Sequence, residues 1–469
     1  ALMEITKSKF NFKEFVKSNY TILLCAFSVI CACITPYFFY AKFPIYAIII
    51  FLGFYKPQEA YCYFGFMWFF TMLYGGITTA NILISVMASA VFLRHMFWVF
   101  KGKEKTAHWA LLMSVVFYLY SLIPFWNYAE VWGFGLALIF LLLQYDTFVY
   151  RKQLDATQIV LYMFGGLMAS TLVGTLMWYV FKLQPFNIWF DANRLVLFTC
   201  NPNRLHMVCL IIMSGLFFGV MKNKISWWGG MLAFCITMYM GTLTKSKTFM
   251  LCTAILLFFM LIVFLMRNKK VGLIFGGCLL AFVAILAIFF RDYVQFMIER
   301  FFIHGELTLE SITTGRWFLW QSYLGELRKS PINLFFGMGA WCKTSIVEGH
   351  NGPHNMYIDF LYHYGLIGIV LLVLLIVSYR ADSNAEAVDK SRYFIVKLED
   401  MLPLLMCCMV GLVESILSTG TTQILIPLAI LFLYNGSKRV IKNPARDERV
   451  HRLKLLKRKN AKEKHNGND

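Results

Sequence analysis

The sequence predicts an all-α, polytopic helical membrane protein with about 12–14 transmembrane helices and one large, partly helical loop on the outer face. Three observations carry this prediction. Of 469 residues, 59% are hydrophobic and 15% charged, against roughly a quarter charged in soluble domains. The mean hydropathy of +0.63 is too apolar for a water-facing surface, and 46 Phe, 24 Tyr and 12 Trp add aromatic mass that water would not tolerate. The apolar residues also come in runs of helical length, whereas a barrel strand crosses with about ten alternating residues. A soluble enzyme, a secreted domain and a disordered tail are excluded as the main description.

The runs fall at 20–40, 43–55, 60–76, 78–98, 108–124, 130–149, 157–181, 205–221, 225–243, 248–266, 271–290, 355–378, 398–417 and 420–434. The second is short for a full span and reads as tilted or re-entrant, so the count is a range. No period of 20 to 50 residues repeats along the chain. Orientation follows from Lys and Arg between the runs: with a cytoplasmic N-terminus, 32 fall on the inside and 12 on the outside, the bias expected of a positive-inside protein. The expected layout is a cytoplasmic N-terminal amphipathic segment over 1–19, transmembrane helices over 20–290, a large periplasmic or extracellular loop over 291–354, transmembrane helices over 355–434, and a basic cytoplasmic tail over 435–469.

The same layout explains the net charge of +19 without nucleic acid as a partner. The tail RVIKNPARDERVHRLKLLKRKNAKEK reads as an anchor to anionic headgroups, with a cytoplasmic protein partner as the other reading. The 12 cysteines lie mostly inside apolar runs and form no pairing framework; Cys200 and Cys342 are the one pair placed to meet in an oxidising compartment. No small-residue cleavage site follows the first apolar run, so no cleaved signal is expected.

Two long segments are expected outside, 182–204 and 291–354, and long loops in compact folds are commonly functional. In the second, GRWFLWQSYLGELRKSPINLFFGMGAWC predicts a helix from Gly315 with Arg316 and Trp320 on one face, ending before Pro331, with Gly337 and Gly339 in a tight turn. His354-Asn355 stand where an apolar helix begins. Two readings stand there: a titratable base beside an anion-binding helix N-terminus, or a simple helix cap. Lys245-Ser246-Lys247 sits outside, against the charge rule. It either snorkels to the interface or forms a phosphate clamp with Arg316 and Arg204 of NPNRLH. Glu414, near the outer end of a run, is placed to neutralise one of these cations. No HExxH or zinc-spaced Cys/His pair predicts a metal, and no P-loop, GxGxxG or GxSxG predicts an energy-coupled pump or serine hydrolase.

His354-Asn355, nine residues, Gly365, two residues and Gly368 resemble the signature of bacterial O-antigen ligases and polymerases. Gly315-Arg316, Trp320, Pro331, Gly337 and Gly339 are similar to the block that precedes it. Leu243-Thr244-Lys245-Ser246-Lys247 resembles a third block that usually ends Ser-Arg, with Lys247 in place of that Arg; Asn201-Pro202-Asn203-Arg204 resembles a further element. The resemblance implies a glycosyltransferase whose donor is a glycan on undecaprenyl pyrophosphate, acting at the outer face of the bacterial cytoplasmic membrane with inversion and without metal or cofactor. It implies His354 and Arg316 as catalytic residues, and Lys247, Lys245, Arg204, Asn355 and Trp320 as contacts to pyrophosphate or glycan. Membrane lipids and a chain-length regulator protein are the implied partners. Polymerase is the preferred activity; the alternatives are a ligase acting on lipid A-core and, in another class, a flippase, against which stands the missing two-fold repeat.

Overall fold

The structure, a computed structural model, describes residues 12–102, 108–123, 132–182, 186–189, 192–198, 201–289, 308–313, 315–339, 352–378, 393–416 and 422–437, with a few positions between (291, 295, 298–299, 346–347). Residues 1–11, the tail from 438, Cys200, Cys342 and most of 291–307 and 340–351 lie outside them. In chain order the helices are α1 (Phe12–Ile34), α2 (Phe43–Tyr55), α3 (Pro57–Met67), α4 (Thr71–Phe100), α5 (His108–Ser121), α6 (Trp132–Val149) and α7 (Ala156–Phe181). An antiparallel hairpin of β1 (Phe186–Trp189) and β2 (Ala192–Leu195) follows, pairing Phe186 with Leu195. Then come α8 (Pro202–Met221), α9 (Trp227–Leu243), α10 (Lys247–Arg267) and α11 (Lys269–Phe289), short helices α12 (Leu309–Thr313), α13 (Arg316–Arg328) and α14 (Pro331–Phe336), and finally α15 (Met356–Ser378), α16 (Tyr393–Gly411) and α17 (Leu425–Ser437).

The chain is thus an all-helical polytopic membrane protein, apart from one small hairpin. Among the described residues five helices are long and apolar enough to cross a bilayer, at Ile82–Phe100, Ala156–Met177, Pro202–Met221, Lys247–Arg267 and Met356–Ser378, and shorter apolar helices accompany them. One boundary differs from the hydropathy reading. The runs 60–76 and 78–98 are realised as the 11-residue α3, a 3₁₀ turn at Trp68–Phe70 and the 30-residue α4. Because Trp68, Phe69 and Phe70 are themselves buried, the break carries no polar marker that hydropathy could register.

Several helices start where side chains satisfy the free N–H groups of the first turn. Asp155 accepts from Thr157 N before α7, Asn201 from Asn203 N before α8, Ser226 from Gly229 N before α9 and Ser246 from Phe249 N before α10. Pro202 stands at the first position of α8, where its missing N–H is harmless. Every residue of α8 from Leu205 to Met221 is buried, and α7, α9, α10, α16 and α17 surround it. A helix apolar on all sides belongs at a bundle centre. Gly215 admits the close approach: a Cβ there would meet Val160 at 2.7 Å and Phe432 at 2.8 Å.

Buried charges tie helices together away from that centre. Asp146 on α6 is fully buried and pairs with Arg94 of α4, receives the Tyr61 hydroxyl of α3 at 3.0 Å, and lies 2.8 Å from His95 Nε2. Arg94 also donates to the Gly53 carbonyl of α2. Four helices therefore meet around one ion pair. Removing one partner leaves the other charge buried alone, so Asp146→Ala should lose about 3–5 kcal/mol of stability. The thermal midpoint of the detergent-solubilised variant, beside Asp146→Ala/Arg94→Met, measures this; an equal fall in both would refute the pairwise account.

Candidate functional site

Six chain segments converge at one end of the bundle: β2, the start of α8, the α9–α10 turn, the α12–α13 region, the start of α15 and the segment after α16. Each junction rests on a side chain that satisfies backbone groups its neighbour leaves open. Arg194 of β2 donates through Nε to the Thr244 carbonyl at 2.6 Å and through its terminal nitrogen to Asn203 Oδ1 at 3.0 Å. Lys247, the first residue of α10, donates to the Ser311 carbonyl at 3.0 Å. Lys245 holds the preceding turn with φ +50°, a left-handed conformation of higher energy for a side chain with a Cβ.

Gly315, at φ +80°, turns the chain into α13. Arg316 and Trp320 then share a face, as their spacing predicts, and both hold the same region. The Trp320 indole N–H donates to the Pro353 carbonyl at 3.0 Å. Arg316 donates to the Val413 carbonyl and forms an ion pair with Glu414 at 2.9 Å. On the other side of Glu414, His354 Nδ1 lies 3.8 Å from Oε2; the Glu414 side chain is 8% exposed and that of His354 38%. The imidazole is therefore accessible, while the carboxylate behind it is not. His354 has φ +50°, a region that non-glycine residues enter seldom, and held strain of this kind clusters at functional sites.

Asn355 resolves one of the two readings of the His-Asn pair. Its side-chain oxygen accepts from Tyr357 N and Ile358 N, capping α15, and its amide donates to the Leu412 carbonyl at 2.8 Å. Asn355 is 5% exposed, and these bonds hold the backbone immediately after His354. His354 itself does not make the capping bond. Arg316, read from sequence as a cation for the substrate, has much of its fork occupied by Val413 and Glu414. Arg204 stands at the third position of α8, half-buried beside Asn203.

The glycine positions are explained by a break in α15. Gly365 has φ +63° and ψ −169°, freeing carbonyls that the 336–339 turn captures: Met338 N donates to Tyr362 O at 2.7 Å and Gly339 N to His363 O at 2.9 Å. A Cβ on Gly337 or Gly365 would strike the opposing backbone. The Tyr120 hydroxyl of α5 lies 2.7 Å from the Tyr364 carbonyl and 2.9 Å from that of Phe336. Sequence reasoning assigned nothing to Tyr120, Arg194 or the buried His206; only the unusual placement of Glu414 signalled the pair it makes.

Burial pushes the Glu414 carboxyl up, but the nearby His354, the Arg316 charge and the His206 imidazole outweigh that and hold it below the usual carboxylate value. A depressed folded value means the stabilisation is fully present above the unfolded value and is lost as pH falls through the folded one. The stability gap between wild type and Glu414→Gln should accordingly stay constant through neutral and mildly acidic pH. It should shrink only below about pH 4, the ordinary carboxylate range. Melting curves across pH test this; a gap that closes near pH 6 would contradict it.

A chain of three groups results: an exposed imidazole, a buried carboxylate that faces it, and a guanidinium that fixes the carboxylate. This is the arrangement by which a base is oriented and its protonated form stabilised. Residues 230–373 match the family model described as O-antigen ligase, an interval that contains Lys245, Lys247, Arg316, Trp320, His354, Asn355 and Gly365 but ends before Glu414. The matched interval covers less than a third of the 469 residues. Curated proteins gave no match.

Proposed function

With an O-antigen ligase domain over residues 230–373 as the premise, we propose that the protein is a glycan polymerase. It joins oligosaccharide repeat units carried on undecaprenyl pyrophosphate into surface polysaccharide, O-antigen or capsule. The reaction lies at the outer face of the bacterial cytoplasmic (inner) membrane, with both termini cytoplasmic. The observation that supports this best is the accessible His354 imidazole backed by the buried Glu414–Arg316 pair.

With Nδ1 toward Glu414, Nε2 is the nitrogen left to accept a proton. The acceptor hydroxyl gives its proton to Nε2 while its oxygen bonds to the anomeric carbon of the donor glycan. The bond from that carbon to the pyrophosphate oxygen breaks, the electron pair leaves with the lipid diphosphate, and the configuration inverts. Such a leaving group requires fixed positive charge. Lys247 supplies it with Lys245 and Arg204 nearby, while Arg316 fixes the Glu414 carboxylate behind the base, so no metal takes part in this reading. Trp320 and Asn355 keep the 353–355 turn in register. A separate chain-length regulator belongs to the same proposal.

The ligase reading is favoured by the description of the matched family itself. Purified protein in liposomes, given lipid-linked repeat units in EDTA and without a membrane gradient, separates the alternatives. A ladder of glycan lengths is expected. Single transfer to lipid A-core without a ladder would make it a ligase, and translocation without any new glycosidic bond would make it a flippase.

A further inference from the structure

We propose that Arg194 is a positioning residue for this reaction, one whose buried guanidinium fixes the turn that presents Lys245 and Lys247 to the diphosphate. The inference rests on the transfer reading above, and Arg194 lies outside the interval 230–373 that the family model matches. β2 carries Arg194 opposite Asn187 of β1, and the residue is 5% exposed. Its Nε donates to the Thr244 carbonyl at 2.6 Å, and a terminal nitrogen donates to Asn203 Oδ1 at 3.0 Å. Both acceptors are neutral, so these two bonds orient the guanidinium without cancelling its charge.

What the fork joins gives it a role. Thr244 is the C-cap of α9, where helix carbonyls lack an intrahelical donor and a cation suits the negative end of the dipole. Only Lys245 and Ser246 separate Thr244 from Lys247, the first residue of α10. Lys245 takes the left-handed position after the helix, φ +50°, which glycine usually fills. Ser246 caps α10 by accepting from Phe249 N, and Lys247 Nζ reaches the Ser311 carbonyl at 3.0 Å. A displacement of the Thr244 carbonyl therefore moves both lysines together. The second arm of the fork holds Asn203, next in sequence to Arg204. One guanidinium thus ties the two segments that carry Lys245, Lys247 and Arg204, three like charges that would otherwise repel. For the fold alone, water or a neutral amide would satisfy a carbonyl at a helix end, and burying a guanidinium there is costly. A site that must receive an anion gains from it, because charges already fixed in place need no reorganisation as the diphosphate departs.

Arg194→Met keeps the volume of the stem without its charge or donors. In the liposome assay it should lower kcat/KM for the lipid-linked repeat about tenfold or more, the scale of one hydrogen bond from a charged group. Inhibition by inorganic pyrophosphate should weaken by a similar factor. In a Lys247→Ala background the same substitution should add less than about a twofold further loss, because the two changes act through one turn. Arg194→Lys keeps the charge but reaches one acceptor at a time. It should melt like wild type and show a smaller loss of the same kind, so the cycle is run on it if the Met variant does not accumulate in the membrane. Wild-type rates and pyrophosphate sensitivity, a loss that multiplies fully with that of Lys247→Ala, or slower transfer with undiminished pyrophosphate inhibition would overturn the proposal. Lys247→Ala alone keeps the two readings apart. If it matches wild type in rate and in pyrophosphate inhibition, the diphosphate assignment of the turn fails; if it is slowed while Arg194→Met is fully active, Arg194 alone is removed.

Discussion

Replacing His354 with alanine should slow glycan elongation by about 10²- to 10⁴-fold, the range that general-base assistance contributes, while the protein still inserts in the membrane. Two features of the site make the expectation specific. The imidazole is the accessible member of a chain whose other members, Glu414 and Arg316, are largely buried, so the carboxylate behind it is not exposed to take over as base. The position also has φ +50°, and an alanine there carries backbone strain on the order of 1–2 kcal/mol. His354→Asn separates the two effects, since Asn tolerates the left-handed region but accepts no proton at neutral pH. Both variants should be inactive, and the Asn variant should melt closer to wild type. Normal polymer length in His354→Asn, at equal protein level, would remove the imidazole from the mechanism.

Much of the bundle was legible because hydropathy and helix length are local properties. The run 43–55 coincides with α2 (Phe43–Tyr55), and the run 355–378 with α15 (Met356–Ser378) to within a residue. The cap before Met356 was legible too, since Asn355 acts within three residues of itself. The 3₁₀ turn at Trp68–Phe70 was not, because the backbone bends there without any change in polarity. In the site, His354, Arg316 and Lys247 could be picked out as polar groups in the wrong solvent. Arg194 could not, because it gains its meaning from Thr244, 50 residues away. Residue spacing holds no information about closure over such distances. Spacing gives no sign either of the partner of the Asn355 amide, the Leu412 carbonyl, which lies 57 residues on.

Arg316→Ala should be nearly as damaging as loss of the base, and its partner decides why. The guanidinium can act on the diphosphate as a fixed cation, or it can act through Glu414 by keeping the carboxylate against His354. Removing a single preorganised charge from a developing anion lowers rates by about 10²–10³-fold. Stranding a carboxylate that is 8% exposed adds a stability loss of about 3–5 kcal/mol. Arg316→Ala should therefore lose both activity and melting temperature, whereas Arg316→Ala/Glu414→Gln should regain the melting temperature because no buried charge remains unpaired. If Arg316 acts only through Glu414, the double variant is no slower than Glu414→Gln alone, and the coupling measured by the cycle is large. If Arg316 also meets the diphosphate, the double variant falls further, by the factor that a direct charge contributes. Arg316→Lys sharpens the distinction: lysine keeps the charge but cannot bond Val413 and Glu414 together as the planar fork does. Since Glu414 is held on one side by Arg316 and faces His354 on the other, we expect the first result. The Arg316→Lys variant should then be about as slow as Arg316→Ala, with Lys247 left as the principal counter-charge to the departing diphosphate.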